Sequence, residues 1–425
     1  MKRFVFFYLC IVILMCLNFA NGTEQPKDEP EQPKKEIIFS EDFDETVIEG
    51  DEDSANVKQT INPKFRQRSN TQKALIQGGG SDKTEWSVLL SLRWLKKRQN
   101  ADCSWGEDPY KPMLTGLALL AFLGHGEDHL SKEFGSTIRT AIDYLVNNQD
   151  ELGYFAKEQR ALQHAIATYA LAELYGMTDL EDLIPIVDKA VTKIISAQTK
   201  DGNWNYDYAA EENKEKSNLL PILAWQILAL KAAQDAGIKF GNGSLEKAVA
   251  LATEYVQEKY NPETKVFGEK DKTGTWEDNF ITTPEAVLCL QLLGKFNSDE
   301  VKGALEQMRK NYKFDWKETT GGKQKAPLLA WFYATEAFFH ATDKPLQNPY
   351  WRFWNPQLQK SLLIAQNKDG SFPLPPKSEE NKLFGEENAK IYSTALCCLM
   401  LETYYRYLPT FRLKAKVEDA GLIEK

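Results

Sequence analysis

Histidines are the scarcest side chains of this chain that could act as a base or bind a metal: His125, His129, His164 and His340. The segment from His125 to His129 holds two imidazoles and two carboxylates, a composition that suits a metal ion. Gly126 breaks a helix at this point, so the two imidazoles lose their alignment on one helical face. We therefore predict no metal here, but a helix C-terminus, where a histidine is electrostatically favourable.

His164 opens a long apolar stretch and is a stronger candidate for function. Histidine titrates near neutral pH, and the backbone N–H groups at a helix N-terminus can face a ligand. Glutamates recur nine residues after the equivalent positions of three such stretches, at Glu173, Glu336 and Glu402. They repeat and are expected to be structural, whereas His164 does not repeat. We predict that His164 binds a ligand; the alternative is a histidine packed between helices.

Aromatic and acidic residues cluster just before the apolar stretches. Aromatic rings stack on the apolar faces of sugars or peptides, while carboxylates accept hydroxyl or amide protons. The predicted ligand-binding residues are His164, Tyr110, Asp108, Tyr206, Asp207 and Trp276. Asp278 accompanies Trp276 in the same way. The expected ligand is extended: a glycan, a peptide or a lipid.

These residues are placed by a recurring pattern, which we call the glutamine frame. It consists of Gln, three residues, Gly, one residue and an aromatic. The four clear copies are Gln99 to Trp105, Gln149 to Phe155, Gln198 to Trp204, and Gln366 to Phe372. Cys103 replaces the glycine in the first copy, and two weaker copies place Phe267 and Trp316 at the aromatic position. Consecutive copies lie about 50 residues apart, which indicates a repeat protein.

Each frame separates two kinds of helix. The helix before it is amphipathic, as in 87–99, and the helix after it is apolar on nearly every side, as in 165–172. Half-buried helices that alternate with fully buried ones predict two concentric layers. The sequence therefore predicts an all-α fold, an (α/α)6 toroid of six helix pairs with inner and outer helical layers.

This pattern resembles the α/α toroid shared by squalene–hopene cyclases, protein prenyltransferase β subunits and the complement thioester domain. The glutamine frame is similar to the QW motif of the cyclases, and the resemblance implies that Gln caps a neighbouring helix and stacks on the aromatic ring. It covers roughly residues 84–409. The chain also looks like exported bacterial proteins named for these repeats, a group for which no reaction is established.

The chemistry of those families is missing from the sequence. A cyclase needs Asp-x-Asp-Asp on its cavity wall, and the closest string, Asp42-Phe-Asp44-Glu45, lies outside every helix pair. Asp102 and Cys103 are adjacent, without the spacing of the prenyltransferase zinc ligands, and no Gly-Cys dipeptide exists for a thioester. We predict a binding module for an extended ligand or protein partner, without a cofactor. The alternative is a glycan-active enzyme, a polysaccharide lyase or glycoside hydrolase, with its site at the toroid mouth.

The ends of the chain indicate export. Residues 1–22 have the basic start, apolar stretch and small-residue end of a signal peptide, and the mature form is expected to have no membrane span. Residues 23–81 are acidic and contain proline, and we predict a disordered tether there. The toroid is expected at 82–412, with a C-terminal tail at 413–425. The net charge of −9 disfavours a nucleic-acid partner.

Overall fold

The computed structural model describes residues 71–157, 160–208, 220–270, 276–278, 280–317, 320–321, 324–325, 327–342, 344–376, 384–405 and 407–411. The predicted signal peptide, residues 23–70 of the predicted tether and the tail at 413–425 lie outside the described residues.

A short helix, α1 (Thr71–Gly78), precedes six helix pairs, each with an amphipathic helix followed by an apolar one. The pairs are α2 (Asp82–Lys97) and α3 (Lys111–Gly124), α4 (Gly135–Asn148) and α5 (Arg160–Thr178), α6 (Ile184–Ser196) and α7 (Leu220–Asp235), α8 (Ser244–Glu258) and α9 (Thr282–Leu292), α10 (Asp299–Asn311) and α11 (Leu328–Phe339), and α12 (Pro349–Ala365) and α13 (Glu386–Glu402). Within the described part of the chain, no helix is both long and apolar enough to cross a membrane.

The second helix of each pair forms the inner layer of a closed ring. Each inner helix packs against the next one along the chain, and the last, α13, packs against the first, α3. Every residue of α3 from Pro112 to Gly124 is buried, whereas the outer helix α4 buries one face through Ile138, Ala141, Ile142 and Leu145. The predicted (α/α)6 toroid with inner and outer layers is confirmed.

The glutamine frame ties each outer helix to the next. In all four copies the side-chain Nε2 donates to the carbonyl of the residue in the glycine position and to a carbonyl near the start of the next outer helix. These acceptors are Cys103 and Thr137 for Gln99, Gly153 and Ile186 for Gln149, Gly202 and Ala248 for Gln198, and Gly370 and Ser87 for Gln366. The last bond joins α12 to α2 and closes the ring.

The aromatic of the frame fastens the outer helix that precedes it. The indole N–H of Trp204 donates to the Ile194 carbonyl at 2.7 Å, and that of Trp105 donates to the Leu95 carbonyl at 2.8 Å. Both carbonyls belong to the last turn of an outer helix, where the regular i to i+4 hydrogen bonds of the helix end. Both indoles are fully buried, so they fill the space between layers and also cap a helix.

The glycine position of the frame has a left-handed backbone and almost no free space. Gly202 has φ of 95°, and a Cβ there would lie 2.3 Å from the Leu251 carbonyl oxygen of the next outer helix. Gly370 repeats this approach with φ of 95° and 2.2 Å from the Leu90 oxygen. Cys103 occupies the equivalent position with φ of 68°, so a side chain is tolerated in the first copy.

Two small antiparallel sheets interrupt the helical pattern in the outer-to-inner connections. Strand β1 (Tyr260–Asn261) pairs with β2 (Val266–Lys270), and β2 pairs with β3 (Trp276–Asp278), with Gly268 opposite Asp278. Strands β4 (Thr320–Gly321) and β5 (Gln324–Lys325) form a hairpin before α11. The sequence analysis predicted no strands there.

The end of the predicted tether, residues 71–81, belongs to the folded body, which corrects the predicted boundary. Leu75 of α1 is buried, and the Gly78 carbonyl accepts a hydrogen bond from the Trp351 indole at 2.7 Å. A Cβ on Gly78 would lie 2.8 Å from the Tyr404 Cα, so glycine lets this chain segment pack directly on the ring. All three glycines at 78–80 lie in close contact with neighbouring groups.

We expect Gly202→Ala to destabilise the protein more than Gly237→Ala. Both glycines have positive φ, but nothing lies within 4 Å of a Cβ at Gly237. Gly237→Ala is therefore the control, and it should lose only about 1 to 2 kcal/mol of unfolding free energy, because alanine disfavours a left-handed backbone. Gly202→Ala should lose about 1 to 3 kcal/mol more, because its Cβ clashes with the Leu251 carbonyl oxygen. Urea unfolding of both variants measures the difference. Equal losses would show that the close contact at Gly202 relaxes without cost.

Candidate functional site

The described residues that connect an outer helix to the following inner helix lie at one end of the ring, and in sequence these connections include the longest, 197–219, 259–281 and 366–385. We call this the long-loop end, and the opposite end the short-loop end. Inner helices begin at the long-loop end, so their free backbone N–H groups are there. Loops carried by a rigid scaffold are the usual place for binding residues, and most of the predicted site residues fall at this end.

A row of aromatic and acidic side chains follows the inner ring at the long-loop end. Tyr110, just before α3, meets Phe384 edge to face with ring centres 5.1 Å apart, and Phe384 lies 5.0 Å from Tyr392 of α13. The row continues through α11 and α9 to the connection before α7. We call these residues the tyrosine arc: Tyr110, Phe384, Tyr392, Tyr333, Glu285 and Tyr206.

Electrostatic interactions connect the second half of the arc. Burial raises the pKa of the Tyr333 phenol well above its usual value, and the nearby Glu285, Cys289 and Tyr392 add to the shift. Burial also raises the pKa of Tyr206 to about 12, with a further contribution from Glu285. These phenols therefore stay protonated across the physiological range and can donate hydrogen bonds.

Glu285 is the chemically unusual member of the arc. It lies in the first turn of α9, it is fully buried, and its Oε1 accepts a hydrogen bond from the Ala224 backbone N–H of α7 at 3.2 Å. Its Oε2 has no hydrogen-bond partner among the described residues. Burial raises the pKa of this carboxyl well above its usual range, because the ionised form loses its hydration in the core.

The structure brings two of the predicted site residues, Tyr110 and Tyr206, into the arc. Asp108 is 82% exposed and lies 3.7 Å from Lys111, whose ammonium is 2.7 Å from Asp102. Asp207 is also exposed. The Trp276 backbone forms part of β3, opposite Lys270, and its side chain is not among those that the structure describes.

The structure places His164 between helices, as in the alternative that the sequence analysis left open. Its side chain is fully buried. Its Nδ1 accepts a hydrogen bond from the Phe155 N–H at 3.3 Å, and its Nε2 donates to the Ala190 carbonyl at 3.0 Å. The ring also stacks on Phe155 with 5.4 Å between centres. His164 thus joins the glutamine frame to α5 and to the outer helix α6.

The role of His164 repeats even though its residue type does not. In other repeats a threonine hydroxyl of the inner helix accepts the hydrogen bond from the backbone N–H of the frame's aromatic residue. These pairs are Trp105 with Thr115, Phe267 with Thr283, and Phe372 with Thr394. An alignment by residue type hides this equivalence, because a threonine hydroxyl and an imidazole nitrogen are both acceptors.

His125 is the C-cap residue of α3, as predicted, and its side chain is only 9% exposed. Its Nε2 lies 3.1 Å from Glu85 and its Nδ1 lies 3.3 Å from Glu127. The described residues contain no group of histidine, cysteine and acidic side chains that could hold a metal ion.

Sequence reasoning missed Glu285, Tyr333, Phe384 and Tyr392. Glu285 carried a usable signal, because it stands in the helix Thr282–Leu292, which is otherwise apolar or uncharged and wholly buried. An acidic residue is rarely fully buried without a specific reason. The tyrosines carried no such signal, since tyrosine is common in packed cores.

The comparisons with known proteins identify the fold alone. A scan of family models finds no match, and a search of curated proteins finds none either. Among solved structures, an inactive variant of the α-1,6-mannanase GH76A of Salegentibacter sp. HEL1_6, in complex with α-1,6-mannotetrose, is similar with a TM-score of 0.54 and 9% identity, covering 77% of this chain and 100% of that one.

Two further structures are similar over most of their length. A sugar epimerase from a ruminal bacterium has a TM-score of 0.53 and 13% identity, covering 74% of this chain and 95% of that chain. The type II terpene cyclase MstE from Scytonema has a TM-score of 0.52 and 13% identity, covering 77% and 100%. The resemblance to the toroid superfamily stated from the sequence is confirmed at the level of the fold.

His164→Ala is expected to destabilise the fold strongly. The substitution leaves the Phe155 N–H and the Ala190 carbonyl buried without partners, at about 1 to 3 kcal/mol each, and opens a cavity as well. Urea unfolding measures the loss, and His164→Thr, which restores the hydroxyl used in other repeats, should recover part of it. A His164→Ala protein as stable as the wild type would contradict this structural role.

Proposed function

We propose that this protein is an exported binding module for an extended, uncharged glycan, which it holds at the long-loop end. The observation that carries the proposal is the tyrosine arc, a row of aromatic side chains next to a buried carboxylic acid with an unpartnered oxygen. Export rests on the signal-like residues 1–22.

The chemistry of the arc suits sugars. Sugar rings present apolar faces that stack on aromatic side chains, together with hydroxyl groups that need hydrogen-bond partners. Tyr206 and Tyr333 supply phenol groups that remain protonated, and Glu285 in its neutral form both donates and accepts. The exposed carboxylates of Asp108 and Asp207 at the same end repel a polyanionic ligand.

The similar structures support a sugar ligand by analogy. Two of the three described above are enzymes that act on sugars, and the mannanase variant was solved with α-1,6-mannotetrose bound. At 9% and 13% identity the analogy concerns what this fold can host. The terpene cyclase has the same fold, but the sequence lacks the Asp-x-Asp-Asp motif of that chemistry.

The alternative, a glycan-active enzyme, has less support. The inactive mannanase variant replaces two consecutive aspartates, and this chain contains no two consecutive aspartates. A lyase that uses His164 as its base is not supported, because both of its ring nitrogens are hydrogen-bonded within the core. Asp108 and Asp207 remain the candidate carboxylates for a hydrolase at the long-loop end.

Isothermal titration of the purified protein with neutral and uronic-acid oligosaccharides tests the proposal. We expect a neutral oligosaccharide to bind, and Tyr206→Ala to weaken it at least about tenfold, or about 1.4 kcal/mol. Trp86→Ala is the matched control, because Trp86 is 55% exposed on the outer helix α2 and should not change the affinity.

Other outcomes separate the alternatives. Binding that is restricted to uronic-acid chains, peptides or lipids would contradict the neutral-glycan proposal. An increase of reducing ends or of unsaturated products during incubation would favour the enzyme. If Tyr206→Ala keeps full affinity while the protein binds a neutral glycan, then the site is not in the tyrosine arc.

A further inference from the structure

The chain crosses the short-loop end of the ring after α13. After α13 come residues 403–405 and 407–411, which we call the C-terminal strap. The strap runs from α13 across the ring to α5 and α7, where the turn Pro409–Phe411 packs against these two helices. The strap therefore lies over the end of the inner ring, opposite the tyrosine arc. Its Leu408 and Phe411 help to line a cavity of about 20 Å³ beneath the strap, and its Tyr404 and Tyr405 border a larger cavity of about 430 Å³ beside it.

The strap is fastened to glutamates that the inner helices bury at this end. The Thr410 N–H donates to Glu173 Oε1 of α5 at 3.2 Å, and the Thr403 hydroxyl donates to Glu336 Oε1 of α11. Phe411 stacks on His340 with ring centres 5.2 Å apart. Glu173, Glu336 and Glu402 are all at least 96% buried.

A second anchor joins the strap to the first repeat. The Tyr405 hydroxyl donates to Glu85 of α2, and its ring meets His125 edge to face at 5.7 Å between centres. His125 itself lies between Glu85 and Glu127. The Cys398 thiol donates to Glu402 at 3.2 Å, so Glu402 lies beside the base of the strap.

We propose that the C-terminal strap is a pH-sensitive lock: it stays packed across the short-loop end while Glu173 and Glu402 beneath it are protonated, and it opens as these two residues ionise. An ionised carboxylate in a dry interior costs far more free energy than a neutral acid. Opening of the strap would expose these carboxyls to water and remove that cost.

Burial is the main reason that the Glu173 carboxyl has a pKa near neutral pH. Burial raises its pKa to about 7, although hydrogen bonds from Thr410 and Tyr169 oppose the shift, and Asp235 of α7 adds to it. Both Glu173 and Glu336 face the Tyr169 phenol. The Glu336 carboxylate in turn lies 3.3 Å from His340.

Glu402 and His125 titrate at somewhat higher pH. Burial raises the pKa of Glu402 to about 8; His125 and the Cys398 thiol oppose this shift, while Glu85 and Glu336 reinforce it. Burial lowers the pKa of His125, but hydrogen bonds with Glu127 and Glu85 and the charge of Glu402 outweigh it and bring the value to about 9.

All three groups change stability in the same direction. Each has a higher pKa in the closed state than in water, where the reference values are 4.5 for glutamate and 6.5 for histidine. The closed state therefore binds more protons than the open state, and its stability falls as pH rises. Glu173 lowers the stability of the closed state as pH rises from about 4.5 to about 7, and Glu402 does so from about 4.5 to about 8. His125 does so from about 6.5 to about 9.

Hydrogen exchange of the strap amides, read by mass spectrometry of the purified protein, tests the lock. The measured quantity is the protection factor, which corrects for the intrinsic pH dependence of exchange. Within the window each carboxyl changes the opening equilibrium by up to about tenfold per pH unit. We expect protection of 403–411 to fall at least about tenfold between pH 5.5 and pH 7.5.

The variant Glu173→Gln/Glu402→Gln keeps the shape of the protonated acids and removes their titration. Between pH 5.5 and pH 6.5, where only the two glutamates act, this variant should keep the strap protected, and at pH 7.5 it should lose less protection than the wild type. Glu306→Gln is the control, because Glu306 is a largely exposed residue of α10 paired with Arg309, and it should behave like the wild type. If the double variant does not fold, Glu173→Gln alone should show a smaller pH dependence than the wild type.

Constant protection in the wild type across this range would overturn the proposal, as would the same loss of protection in the glutamine variant. A loss of protection that extends equally to α3 and α5 would also overturn it, because that result would show global unfolding and not the opening of the strap.

Discussion

The side-chain amide of the frame glutamine is the interaction on which the ring depends. It donates to the carbonyl of its own loop and to a carbonyl of the next outer helix, so one side chain sets both the loop conformation and the spacing between repeats. The glycine position then lets the loop approach the next helix within contact of a backbone oxygen. Because the inner helices have no solvent-facing side, their burial depends on the outer layer being held at this spacing.

The polar residues inside the ring divide it into two unlike ends. At the short-loop end, Glu173 and Glu336 accept hydrogen bonds from the C-terminal strap. At the long-loop end, Glu285 accepts one hydrogen bond from α7 and lies beside tyrosines. A core that was only apolar would be more stable. The distribution of acids therefore gives the two ends different chemistry within a nearly symmetric scaffold.

The fold was predictable from the sequence and the site only in part. The glutamine frame and the alternation of amphipathic and apolar helices repeat often enough to predict six pairs in two layers. His164 was misjudged because hydrogen-bond acceptors of different residue types can fill one position. Glu285 and Tyr392 belong to different repeats, so no local pattern could bring them together. Helix α1 was missed because the predicted tether was assigned from its acidic and proline content, and the packing of α1 on the ring is visible only in three dimensions.

The bond between Gln366 and Ser87 spans 279 residues, and it has a consequence for how the chain reaches its native state. An open solenoid can grow from any point and needs special repeats to cover its two ends. In this closed ring the last repeat covers the first, so α3 keeps an unburied apolar side until α13 arrives. Loop-closure entropy places such a distant contact late in folding. The polypeptide must therefore be almost complete before its first repeat has a finished neighbour, and a chain stopped short of α13 leaves apolar surface open to aggregation.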